Sequence, residues 1–114
     1  MRFAGERMKR IRLQKPVFSR SGSGSVISSY ADADADPNPY AHVRDDRGDE
    51  RYMADKKSAM VSRFFQVHMR NDVDETWTIL DEEENRRYDI EQIFPIGRRK
   101  LDIKATWTQG QYES

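Results

Sequence analysis

The chain has no cysteine, which removes disulfides, thiolate nucleophiles and cysteine-bound zinc. Histidine is nearly as scarce. His42 and His68 are the only two, and their separation fits no helical metal-binding pair. No apolar run approaches the length of a membrane-spanning helix, and the opening Met1-Arg2-Phe3-Ala4-Gly5-Glu6-Arg7 has none of the apolar core of a secretory signal. The Gly/Ser stretch Ser19–Ser25 lacks the lysine and the following helix of a phosphate-cradling loop. Its serines stand where no base is held beside them, so a nucleophilic triad is not drawn. A non-enzymatic protein with no catalytic residue, cofactor, metal or membrane contact is the expectation.

Excess charge of either sign is missing as well. Twenty basic side chains balance twenty acidic ones, so there is no global pull towards nucleic acid or a membrane surface. What is present is charge in quantity: 35% of residues, against 36% hydrophobic. An ordinary globular domain has roughly a quarter charged and nearly half apolar. With 114 residues the chain suits one domain, 1–114, with a modest core. Such a core-poor, charge-rich domain is suited to completion by partner surfaces.

Alternation dominates the pattern. Lys9 to Val17 has period two, placing Ile11, Leu13, Lys15 and Val17 on one side, with Pro16 near a sheet edge. Ser19–Ser25 reads as a flexible loop, Val26–Tyr30 as a short strand, and the Ala-Asp tract Ala31–Asp36 before Pro37-Asn38-Pro39 as an exposed loop. Tyr40–Arg44 reads as extended. Gly48–Lys57 is the helix candidate, with acids first and lysines last as the helix dipole prefers. Beyond it the strands are clearer. Val61, Arg63, Phe65, Val67 and Met69 share a face; Thr76–Leu80 is a strand and Asp81–Asn85 an acidic turn. Tyr88 and Ile90 are out of phase with Ile93, which a bulge near Glu91-Gln92 repairs. Leu101, Ile103, Ala105 and Trp107 alternate in the last strand. The fold class expected is mostly β: a small antiparallel β-barrel of about six strands with one short helix. Its ordered core runs from about 7 to 108, with a long flexible loop over about 19–39.

The order of features resembles a known family. Arg7-Met8-Lys9-Arg10-Ile11-Arg12-Leu13-Gln14-Lys15-Pro16 opens the chain, Tyr40-Ala41-His42-Val43 follows a Gly/Ser loop, and Met60–Arg70 is a long apolar strand. Arg87-Tyr88-Asp89-Ile90-Glu91-Gln92-Ile93 then leads into Gly97-Arg98-Arg99-Lys100-Leu101-Asp102-Ile103. This is similar to the head–tail joining (stopper, or head-completion) family of tailed bacteriophages, over nearly the whole chain. Tyr40 stands where the family usually has tryptophan, and the acidic loops are more acidic than the family pattern. The resemblance implies a structural component of the virion of a phage or phage-like particle, assembled in the bacterial cytoplasm. Copies of the chain would form a ring, of roughly six or twelve. The portal or adaptor ring would lie above, the tail terminator or tail tube below, and packaged double-stranded DNA in the channel, which the ring closes.

Candidate contacts follow from segregated charge. Arg10, Arg12 and Lys15 make the first strand basic; Arg98, Arg99 and Lys100 do the same for the last. If those strands were neighbours they would form one positive stripe, facing channel DNA or an acidic protein surface. Asp81, Glu82, Glu83 and Glu84 are the complementary acidic patch, suited to pairing between copies. Phe64, next to core-facing Phe65, is the candidate exposed anchor, while Trp77 and Trp107 read as core. Asp32, Asp34 and Asp36 have the spacing that opens an EF-hand loop, but Pro37 and Val43 occupy the positions where such a loop needs glycine and glutamate. The alternative function is a small β-barrel binding single-stranded nucleic acid, against which the zero net charge argues.

Overall fold

A computed structural model describes residues 6–21, 24–46 and 60–108. Eight strands form one antiparallel sheet: β1 (Glu6–Arg10), β2 (Arg12–Ser21), β3 (Gly24–Asp32), β4 (Tyr40–Asp45), β5 (Met60–His68), β6 (Thr78–Asp81), β7 (Arg86–Ile96) and β8 (Lys100–Thr108). Their order is β1-β4-β5-β8-β7-β6-β2-β3, and the sheet curls into a half-barrel. There are eight strands where about six were expected. The break at Ile11 divides the first run into two strands, and pairing of the Gly/Ser region lengthens β2 and β3 without adding one. No helix lies among the described residues, and the helix candidate Gly48–Lys57 falls outside them.

The break at Ile11 organises the fold. Residues before it pair with β4, from Glu6↔Arg44 to Arg10↔Tyr40, while those after it pair with β6, from Arg12↔Leu80 to Gln14↔Thr78. One run of chain thus joins an edge of the sheet to its far side. At the break, Ile11 donates its N–H to the Pro39 carbonyl at 3.1 Å.

Alternation buries one face. Phe65 and Val67 of β5, Leu101, Ile103 and Ala105 of β8, and Tyr88 and Ile90 of β7 point inward with Ile11, Leu13, Val43 and Ile79. Phe65 and Tyr88 meet edge to face with ring centres 5.2 Å apart. Trp77 is in the core; Trp107 is half-buried beneath the Arg86 guanidinium, 4.1 Å from its ring. The register slips between Ile90 and Gln92, so Glu91 is the bulged residue that brings Ile93 opposite Ile103.

Two loop expectations are corrected. Of Ser19–Ser25, the described residues are strand: Ser19 pairs with Val26, Arg20 with Ser25 and Ser21 with Gly24. The Ala-Asp tract is not wholly exposed, because Ala33 is buried. Ala33 donates to the Leu13 carbonyl, and Leu13 donates to that of Pro37, so the tract lies along β2 and its small side chain fits the close approach.

Beyond Gln14, β2 has lost β6 as a neighbour and pairs with β3 alone. The result is a two-stranded arm. Pro16 sits here opposite Tyr30, on the side where no ladder partner asks for the N–H it lacks.

Candidate interaction surfaces

The antiparallel registers give the half-barrel two ends. One gathers Glu6, Asp45, Met60, Asp81, Arg86 and Thr108; the other gathers Arg10, Tyr40, His68, Thr78, Ile96 and Lys100, and the arm leaves from it.

The first end is wired by charge. Lys9 and Arg63 stand at inward-facing positions, each buried, and a buried cation needs an anion within reach. Lys9 Nζ lies 2.6 Å from Asp81 Oδ2 and 3.2 Å from Glu83 Oε1. Arg63 donates to Asp45 at 2.9 Å, to Glu84 at 2.6 Å and to the Tyr88 hydroxyl at 2.8 Å. Arg7 and Arg86 reach Glu84 at 3.4 and 3.6 Å, and Arg12 reaches Glu82 at 3.2 Å. Fully buried Asp81 also accepts the N–H groups of Glu83 and Glu84 at 3.1 and 3.2 Å, fixing the turn where Asn85 takes a left-handed backbone.

These contacts shift ionisation. Burial works against the Glu84 carboxylate, but the Arg63 hydrogen bond and the charges of Arg63, Lys9 and Arg86 outweigh it and hold its pKa below the usual range. Burial likewise works against charged Arg63, yet its Glu84 bond and acidic surroundings raise its pKa further. Burial pushes the Tyr88 phenol up.

The acidic turn thus meets the basic N-terminal run of its own chain: Asp81, Glu83 and Glu84 have cationic partners in β1, and Glu82 has Arg12 at the start of β2. The single positive stripe does not form. β1 neighbours β4 only, β2 lies between β6 and β3, and β8 lies between β5 and β7. Lys15 pairs with Asp34 at 2.9 Å, and Arg12 also approaches Asp32 at 3.4 Å. Phe64 is half-buried on the outer face, capped by the Arg44 guanidinium 4.6 Å from its ring, while Arg44 grips Asp102 through two hydrogen bonds.

The second end is unlike the first. Arg98, Arg99 and Lys100 project from the β7–β8 turn, where Gly97 supplies the left-handed residue, and form no ion pair among the described residues. Arg10 lies 4.5 Å over the exposed Tyr40 ring. A cleft of about 290 Å³ on the outer face is lined by Met8, Tyr40, His42, Gln66, Val67, His68 and Lys100. Among the described residues, no group of three or more His, Cys, Asp or Glu side chains is placed to hold a metal ion. No helix there is long and apolar enough to cross a membrane.

The sequence matches the family described as phage head completion protein over residues 4–107 of 114. The chain belongs to the phage head completion protein family. Among curated proteins, none matches it. Membership makes this head completion protein a structural part of the phage virion, serving the junction of head and tail in contact with other head or tail proteins.

The sequence pointed to the acidic turn of this head completion protein and to its basic first segment, but not to Lys9, Arg63 and Tyr88 as the turn's buried partners. The available signal was phase: Lys9 is in step with Ile11 and Leu13, and Arg63 with Phe65 and Val67. A cation on a core face implies a buried carboxylate, and the acidic turn was the obvious supplier.

Proposed function

We propose that the chain is a connector whose copies, roughly six or twelve, form a ring between the portal or adaptor and the tail. The ring closes the DNA channel after packaging and offers the tail terminator or tail tube its docking surface. The observation that carries this reading is family membership across residues 4–107. The paired charges of one end and the apolar surfaces of the other support it, since both suit stacking against proteins. Double-stranded DNA is a passing neighbour in this reading. Arg98, Arg99 and Lys100, which form no ion pair among the described residues, are the described cations best placed to meet an acidic adaptor face or the DNA itself.

The test is deletion of the gene in the producing phage, with complementation from a plasmid. The expected product is packaged heads that leak DNA and carry no tails, with connector density restored in complemented particles. Tailed, DNA-retaining particles made without the protein would overturn the reading.

A second reading, a barrel binding single-stranded nucleic acid, draws on Arg10 over Tyr40 and on exposed Phe94 near the β7–β8 cations. It predicts tight, salt-sensitive retention of labelled oligonucleotides in filter binding. Most of the described cations are already held by the chain's own carboxylates, which argues against it.

A further inference from the structure

The eight large hydrophobic residues exposed among the described residues fall into two groups. Val17, Phe18, Val26 and Ile27 are on the arm; Met8, Tyr40, Phe94 and Ile96 are on the outer face of the sheet. Registers show how each group is arranged. On the arm Phe18 pairs with Ile27, whereas Val17 and Val26 lie opposite Ser29 and Ser19. Neighbouring positions in a strand point to opposite faces, so the ribbon is apolar on both sides. A two-stranded ribbon alone in water is marginal, and no packing on its own sheet covers both faces.

The arm is also nearly uncharged. Arg20 is the one charged residue from Pro16 to Tyr30, in a chain that is 35% charged. Charge depletion beside exposed apolar side chains marks the centre of a protein interface, not a surface built for phosphates. The outer face offers the counterpart. Met8 and Tyr40 form one apolar rim and Phe94 and Ile96 the other, flanking His42, Gln66, His68 and Lys100. Charge is complementary too. The arm's root carries exposed Asp36, with Asp32 and Asp34 exposed but paired to Arg12 and Lys15, and the outer face ends at Arg98, Arg99 and Lys100, which form no ion pair among the described residues.

We infer that the arm of one copy docks on the outer face of a second copy. The two surfaces are different and lie on different parts of the chain, so the contact is head to tail: each copy gives its arm to one neighbour and its face to another. Repetition of that contact generates a closed ring. The inference rests on the connector reading only for the ring; the contact itself rests on the two surfaces.

Sedimentation velocity of the full chain, from about 10 μM to about 1 mM, tests it. Two exposed double variants are used, Phe18→Ser/Ile27→Ser in the arm and Tyr40→Glu/Ile96→Glu on the face, with circular dichroism confirming the fold of each. Wild type is expected to self-associate with concentration, and each variant alone to associate at least about tenfold more weakly. An equimolar mixture of the two regains one intact contact and stops at the heterodimer. Wild-type oligomers that persist in both variants overturn this interface and leave the connector reading standing. A wild type that stays monomeric at the top concentration, or a mixture that does not associate, overturns the contact between identical copies. The gene-deletion phenotype judges the connector reading separately.

Discussion

At the Asp81–Arg86 end of the molecule Arg7, Lys9, Arg63 and Arg86 each meet a carboxylate within 3.6 Å. At the opposite end Arg98, Arg99 and Lys100 meet none among the described residues, and apolar side chains face outward. The difference shows two uses of charge in one small sheet. Where charges are buried they fix the geometry of a turn and close the core. Where they are exposed beside apolar rims they remain available to a neighbour. Stability should therefore concentrate at the first end and association at the second.

The strongest way to break that comparison is Arg63→Met. It leaves Glu84, Asp45 and the Tyr88 hydroxyl without their shared donor, and removal of one partner from a buried ion network costs about 3–5 kcal/mol. A urea titration should show the midpoint collapse with little change of slope. Tyr88→Phe is the milder version. It removes only the phenol, which accepts from Arg63 and donates to Glu84, and about 1–2 kcal/mol is the expected loss.

Acid sharpens the same point. The Glu84 pKa is held below its ordinary value, so its contribution is complete above the unfolded carboxylate pKa of about 4.3 and is lost as pH falls through the lower folded value. Thermal melts between neutral pH and about pH 3 should therefore fall less steeply for Glu84→Gln than for wild type. Partial exposure and salt keep this effect to about 1 kcal/mol or less. Arg98→Ala and Phe18→Ser are expected to change the stability of the isolated chain by no more than about 0.5 kcal/mol. A large loss from either would erase the distinction between the ends.

Hydrogen exchange is the finest test. Amides of Phe18 to Ser21 and of Gly24 to Ile27 should exchange far faster than those of β5 and β8, because the arm has one ladder and no core. The Ala33 and Leu13 amides should stay protected, since they bond to Leu13 and Pro37. Mobility across the loop expected at 19–39 would then be confined to its arm.

Much of the sheet was legible because one face is buried and period two survives. β5 and β8 follow their alternation, and the bulge at Glu91 was forced by the phase of Ile93. The arm was not legible, because serine and glycine carry a loop's composition whether or not the backbone pairs. Ala33 was hidden for the opposite reason: alternating aspartate masks a small residue whose burial depends on a distant strand. The break at Ile11 has no local signature, since Ile11 keeps the phase of its neighbours and only long-range pairing divides the run. Of the candidate contact residues, Arg12, Lys15 and the acidic turn have partners within the chain, and Arg98, Arg99 and Lys100 form no ion pair among the described residues. Sequence segregates charges along the chain; which of them meet is decided by strand order.

The single-residue joint at Ile11 also has a mechanical meaning. A pull along the arm runs down the covalent backbone of β2 and on through Ile11 into β1. Ladder hydrogen bonds lie across the strands, so the pairs of β1 with β4 and of β2 with β6 are loaded together in shear rather than unzipped one by one. The arm is anchored to the body of the molecule as a tendon is to bone, with tension spread over two ladders on opposite sides of the sheet.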